Sequence, residues 1–89
     1  METYRWNSWN VDHIGEHGIL PFEAEYVIDH AVRPWPKKLG EGRFQVLGTG
    51  PDGSYLHVVF IYSPPGTVYV IHARLMREIE KRRYRRRLR

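Results

Sequence analysis

Arg43, His72 and Arg74 form the most informative combination of reactive side chains in this sequence. An imidazole ionises near neutrality and can both take and give a proton, while guanidinium groups fork onto phosphate oxygens. Together they suit proton transfer on a phosphate ester, although the same residue types also fit ordinary polarity at strand ends. His13 and His17 stand four apart, which on a helix sets both rings on one side. A zinc hydrolase helix would read His-Glu-x-x-His, and Ile14 occupies the glutamate's place. The pair therefore reads as packing between helix and sheet or as part of a nucleic-acid site, with no metal. His30 and His57 have no motif around them and read as structural or surface residues. Tyr84 sits among Arg82, Arg83, Arg85, Arg86 and Arg87, an alternation that can stack a base while holding phosphates.

Other chemistries lose support by elimination. The chain has no cysteine, so it has no thiol nucleophile, disulfide or thiolate zinc site. It contains neither a Gly-x-Ser-x-Gly elbow nor a glycine-rich phosphate loop, which removes the usual signatures of acyl transfer and of dinucleotide or nucleoside triphosphate binding. Charge is more telling than composition. Residues 74–89 hold eight arginines and one lysine against Glu78 and Glu80, a balance of +7, whereas residues 1–73 hold five basic and eight acidic side chains, a balance of −3. A basic end dominated by arginine points to phosphate, with an acidic protein, a membrane surface or a plain solvated helix face as the alternatives. No basic-then-apolar leader is visible and no apolar run approaches the roughly 20 residues of a membrane span, so a soluble cytoplasmic protein without a membrane partner is expected.

These residues need a scaffold, and 89 residues allow one domain. Residues 3–6 are rich in β-formers and read as a short edge strand. Asn7 or Ser8 can cap a helix running to about His17, closed by Gly18. Pro21 opens a second helix whose Ala24, Val27, Ile28 and Ala31 recur on one face, and Pro34 and Pro36 end it. Residues 33–42 read as an exposed loop. Strands follow at 43–49, 55–62 and 67–73, separated by Gly50-Pro51-Asp52-Gly53 and Pro64-Pro65-Gly66, so two hairpins form an antiparallel meander. From about Arg74 the residues favour helix, with Leu75, Met76 and Ile79 as an apolar stripe and a Glu78–Arg82 charge pair. The expected architecture is α+β, in the order β-α-α-β-β-β-α, with a basic C-terminal helix over about 74–89. Regular pairing would put Gln45, Phe60 or Tyr62, and His72 on one sheet face with Arg43 and Arg74. Phe44, Val46, Val59, Ile71 and Ala73 would line the other.

Read together, residues 6–19 (WNSWNVDHIGEHGI), residues 22–28 (FEAEYVI), Arg43 and residues 71–84 (IHARLMREIEKRRY) resemble the BrnT family over nearly the whole chain. The most specific parts are the His17-Gly18 step and Ala73-Arg74 followed by Glu80 and Tyr84. The sequence departs from the family's pattern in having Trp9-Asn10 where many members carry a lysine, and His72 where the family has serine. The resemblance implies a RelE-like fold and a bacterial toxin that cleaves RNA and is neutralised by a BrnA-type antitoxin. It further implies metal-independent cleavage without a cofactor, the ribose 2′-OH attacking phosphorus to leave a cyclic phosphate. Arg43 and Arg74 would stabilise the phosphorane and His72 or His17 would move the proton. Arg77, Arg82, Tyr84, Arg85, Arg86 and Arg87 would hold RNA, free or on the ribosome. The rival expectations are a catalytically silent toxin homologue, a basic RNA- or DNA-binding module, and an interaction protein that meets an acidic chain.

Overall fold

A computed structural model describes residues 2–88. Helix α1 (Ser8–Gly15) is set by a reciprocal cap: Asn7 Oδ1 accepts from the Asn10 amide at 3.2 Å, and Asn10 Oδ1 accepts from the Asn7 amide at 2.8 Å. Asn10 is fully buried and also donates to the Arg5 carbonyl at 3.1 Å, so its place in the sequence is dictated by the helix start. After α1, Gly18 at φ +74° turns the chain, with Ile19 donating back to the Ile14 carbonyl at 3.2 Å. Helix α2 (Pro21–Asp29) begins on the expected proline and buries Ala24, Val27 and Ile28. The Glu23 carboxylate accepts from the Leu20 amide at 2.8 Å, closing its first turn.

The sheet is antiparallel throughout, in the order β1 (Lys37–Gly40), β2 (Arg43–Thr49), β3 (Tyr55–Ser63), β4 (Thr67–Leu75). The three meander strands lie where expected, but β1 falls inside the segment read as an exposed loop. Its turn, Glu41-Gly42, has φ +57° and +76°, the left-handed pair that a two-residue hairpin of type I′ demands. Trp35, in the loop just before β1, is not exposed either, since it is buried against Tyr84 with ring centroids 5.4 Å apart. The N-terminal strand reduces to one parallel bridge from Tyr4 to Val68 on the β4 edge, with Arg5 donating to the Val68 carbonyl at 2.9 Å. Among the described residues, three helices and four strands result.

The last helix, α3 (Glu78–Arg87), starts four residues later than the composition implies, because Arg74 and Leu75 complete β4. The stripe expected from Leu75, Met76 and Ile79 does not form: Met76 is buried, whereas Leu75 and Ile79 are exposed. Glu80 and Tyr84 are the buried side chains of α3 instead. Glu78 pairs with Lys81 at 3.2 Å and not with Arg82.

Register decides what each face carries, because directly opposed residues share a face. On one face lie three rows across β2, β3 and β4: Leu47–His57–Arg74, Gln45–Val59–His72 and Arg43–Ile61–Tyr69. Phe44, Val46, Gly48, Leu56, Val58, Phe60, Tyr62, Val70 and Ala73 oppose one another on the other face. Phe60 and Tyr62 are thus opposite to His72, and Val59 is beside it, the reverse of the expectation. A five-residue excursion, closed by Gly50 donating to the Ser54 carbonyl at 2.8 Å, sets the β2–β3 parity. Between Val59 and Phe60 the pairing slips, leaving Ile71 of β4 without a partner in β3. This bulge carries Tyr69 onto the face of His72, which strict alternation would forbid. Helix α2 covers the Gly48 face, where a Cβ on Gly48 would stand 3.2 Å from Val27 Cγ1. The face with His72 is bordered by α1 along β4 and by α3 at Tyr55, on which Tyr84 packs at 6.0 Å.

Candidate functional site

His72 sits at the centre of an imidazole cluster assembled from three elements. Its ring centroid is 5.8 Å from His57 on β3, 6.0 Å from His13 on α1 and 5.4 Å from His17 in the turn that closes α1. The four are graded from inside to out: His57 is buried, His13 and His72 are half-buried, and His17 is exposed. The Gly18 turn aims His17 inward from the rim, which gives the His-Gly step its physical reason.

Burial, and then the charge of Arg74, push the His57 imidazole down to about 4 from an ordinary 6.5. The same two causes, followed by His17 and His13, hold His72 below its ordinary value. Both rings are therefore neutral at pH 7, the form that accepts a proton. His57 contributes to acid sensitivity with a definite sign. Its folded value is the lower one, so the unfolded chain binds the extra proton, and stability falls as pH drops from about 6.5 to 4.

Arg74 ends β4 beside this cluster, but its terminal nitrogens face inward to α3. Nη1 and Nη2 donate to Glu80 Oε1 and Oε2, each at 2.8 Å, and Nη1 also reaches the Leu75 carbonyl at 3.0 Å. Glu80 Oε1 accepts in addition from the Arg77 amide at 2.8 Å, capping α3. The Arg74 guanidinium is the main cause that holds the Glu80 carboxyl down to about 2. Arg74 is thus a rigid positive charge next to His57 and His72, with its fork already occupied. The Arg77 side chain is exposed at the start of α3, and its charge is felt by both histidines.

The remaining expected site residues are dispersed. Arg43 shares the face but stands two strands from Tyr69 and four residues along β2 from the Leu47–Arg74 row, with Nη2 3.5 Å from Glu41. Arg43 and Arg74 therefore do not converge on one point beside His72. Arg82, Arg85, Arg86 and Arg87 are exposed on α3, and the Arg85 guanidinium lies 5.2 Å from the centre of the Tyr55 ring. Tyr84 requires correction as a base-stacking residue. It is buried between Trp35 and Tyr55, so no base can reach its ring.

Two contributors escaped the sequence reading. His57 had no motif, and only its cross-strand pairing with Arg74 reveals it. Trp9 stacks on His13 with centroids 4.9 Å apart and an interplanar angle of 10°, and the i, i+4 spacing of the two residues on a helix is the signal in the sequence that pairs them.

Among the described residues no group of three or more histidine, cysteine, aspartate or glutamate side chains is arranged to hold a metal ion. No helix among them is long and apolar enough to cross a membrane. Comparison of the chain with models of protein families, with curated proteins and with solved structures finds no match.

Proposed function

We propose that the protein is a cytoplasmic endoribonuclease of the BrnT-like, RelE-like toxin type that cleaves RNA without a metal and is held inactive by a BrnA-type antitoxin. The observation that carries this reading is the set of imidazoles around His72, neutral at its centre and exposed at its rim, beside the fixed charge of Arg74. Such a cluster supplies the two proton transfers that transesterification of RNA needs. His72 accepts the proton of the ribose 2′-OH, the 2′-oxygen bonds to phosphorus, and the bond from phosphorus to the 5′-oxygen breaks. His17 returns a proton to that leaving oxygen, and the products are a 2′,3′-cyclic phosphate and a 5′-OH. Arg74 and Arg77 stabilise the charge that grows on the phosphorane. The exposed arginines of α3 hold the backbone of the RNA, whether free or on the ribosome, through contacts that weaken with salt. An acidic antitoxin would cover the same surface.

One observation favours a second reading, in which the chain binds RNA or a partner and does not cut. The fork of Arg74 is occupied by Glu80, so an arginine that the catalytic reading needs near phosphate acts only through its field. The two readings part in a single assay. Purified protein incubated with single-stranded RNA in EDTA is expected to cut it, leaving fragments that end in cyclic phosphate. Binding without cutting would establish the second reading, and cutting that chelation abolishes and magnesium or zinc restores would overturn the metal-free mechanism.

A further inference from the structure

The bulge in β4 brings Tyr69 to the same face as His72, and there it meets α1. Two rings lie near-parallel to that of Trp9: His13 at 4.9 Å and 10°, and Tyr69 at 6.3 Å and 19°. Tyr69 is itself fixed, its hydroxyl donating to Asn7 Oδ1 at 3.2 Å, in the same cap that starts α1. The Arg5 guanidinium lies 5.4 Å from the centre of the Tyr69 ring and is steadied by the Ser63 hydroxyl at 3.1 Å. Despite these neighbours Trp9 keeps 55% of its surface exposed, more than a core or packing role would leave. The part of the ring left in water gains nothing for the fold. An exposed aromatic braced by its neighbours, with a cation over the adjoining ring, is a surface on which unpaired bases stack.

We propose that Trp9, braced by Tyr69 and His13, is the seat of an unstacked base of single-stranded RNA, flanking the phosphate held at His72. This rests on the RNA reading above and adds a substrate class to it. His13 links seat and cluster, stacking on Trp9 while its centroid is 6.0 Å from that of His72, so a base on the indole brings its own backbone to the imidazoles. Arg5 stands on the far side of Tyr69 from this junction in the sequence of contacts, where the next phosphate along the strand can meet it. A base inside a duplex is stacked on both faces and has none to offer. Unpaired segments are therefore the substrate, and because every base has a π-face the seat selects strandedness more than sequence.

The test compares a short unstructured RNA with the same ribose-phosphate backbone carrying abasic sites, by fluorescence anisotropy at low salt. The parent is expected to bind the intact RNA about tenfold more tightly than the abasic one, the scale of one stacked base. Trp9→Ala should lose that preference and Trp9→Phe should keep most of it, with circular dichroism confirming that both variants fold. Replacing Arg85, Arg86 and Arg87 together should weaken both oligonucleotides alike. A Trp9→Ala protein that folds and retains the parent's preference for bases would overturn the seat while leaving RNA binding intact. A parent that binds neither oligonucleotide would overturn the RNA reading itself, and the seat with it.

Discussion

His72→Ala is expected to slow single-turnover cleavage of saturating RNA by about 100-fold or more, the lower range of what a positioned proton-transfer group contributes. His72 touches three other imidazoles, and no other histidine occupies the middle of the cluster. Binding should change little, because the phosphate charge is met by arginines. The acidic limb of the rate profile carries the same signature. A base works only when neutral, and His72 is held below the ordinary histidine value, so activity should persist below pH 6.5 before it falls. His17→Ala offers the control that assigns the acid. With a substrate whose leaving group needs no proton, such as a p-nitrophenyl ester of a nucleoside 3′-phosphate, the His17→Ala defect should vanish and that of His72→Ala should remain. A His72→Ala protein that cuts at the parental rate would move the base elsewhere.

Arg74→Ala should fail twice. It leaves the largely buried Glu80 carboxylate without its counter-charge, which costs about 3 kcal/mol of stability at pH 7. It also removes the fixed field at the phosphorane, for a further loss of about 100-fold in cleavage by whatever remains folded. The pH dependence of stability identifies the pair. Glu80 has the lower value in the folded state, about 2 against an ordinary 4.5, so its contribution is complete above about 4.5 and disappears as pH falls toward 2. A shift of that size is worth about 3 kcal/mol. Arg74→Ala should flatten this acid limb, whereas the loss between 6.5 and 4 that comes mainly from burial of His57 should survive. Glu80→Gln tells the two roles apart, since it loosens the clasp but keeps the guanidinium, and should retain far more cleavage than Arg74→Ala. Urea unfolding of the three proteins from pH 7 to pH 2.5 reads the stability terms, and equal stability of parent and Arg74→Ala at pH 7 would contradict the clasp.

Local signals made the scaffold readable where one residue type does one job. Asn7, Gly18 and Pro21 marked the helix ends because caps, left-handed turns and first-turn prolines act within a few residues. The meander strands were legible from alternation and turn residues. Arg43, Gln45, His72 and Arg74 do share a face as expected, but the parity of β3 was not legible, since it depends on how many residues the β2–β3 excursion uses, and neither was the bulge at Ile71, which nothing in local composition announces. For the same reason Tyr69 could not be placed beside His72, nor His57 beside Arg74. The arginine-rich end misled in a different way. High helix propensity across Arg74 and Leu75 yielded to pairing with β3, and Tyr84, which looked like a stacking ring among cations, was drawn into the core by Trp35 and Tyr55. Of the four residues first expected to act on phosphate, His17, His72 and Arg74 do gather, and Arg43 stands apart.

Proton transfer from a ribose 2′-OH to the histidine cluster is open to one direct measurement. An RNA that the protein cuts at a mapped bond is resynthesised with a single 2′-deoxyribose on the 5′ side of that bond, and both strands are followed in EDTA under single-turnover conditions. The deoxy substitution is expected to leave binding nearly unchanged, to abolish cutting at that bond and to spare cutting elsewhere. Cutting at the deoxy-substituted bond at the rate of the unmodified RNA would show that the 2′-oxygen is not the nucleophile, and the mechanism built on His72 would be wrong.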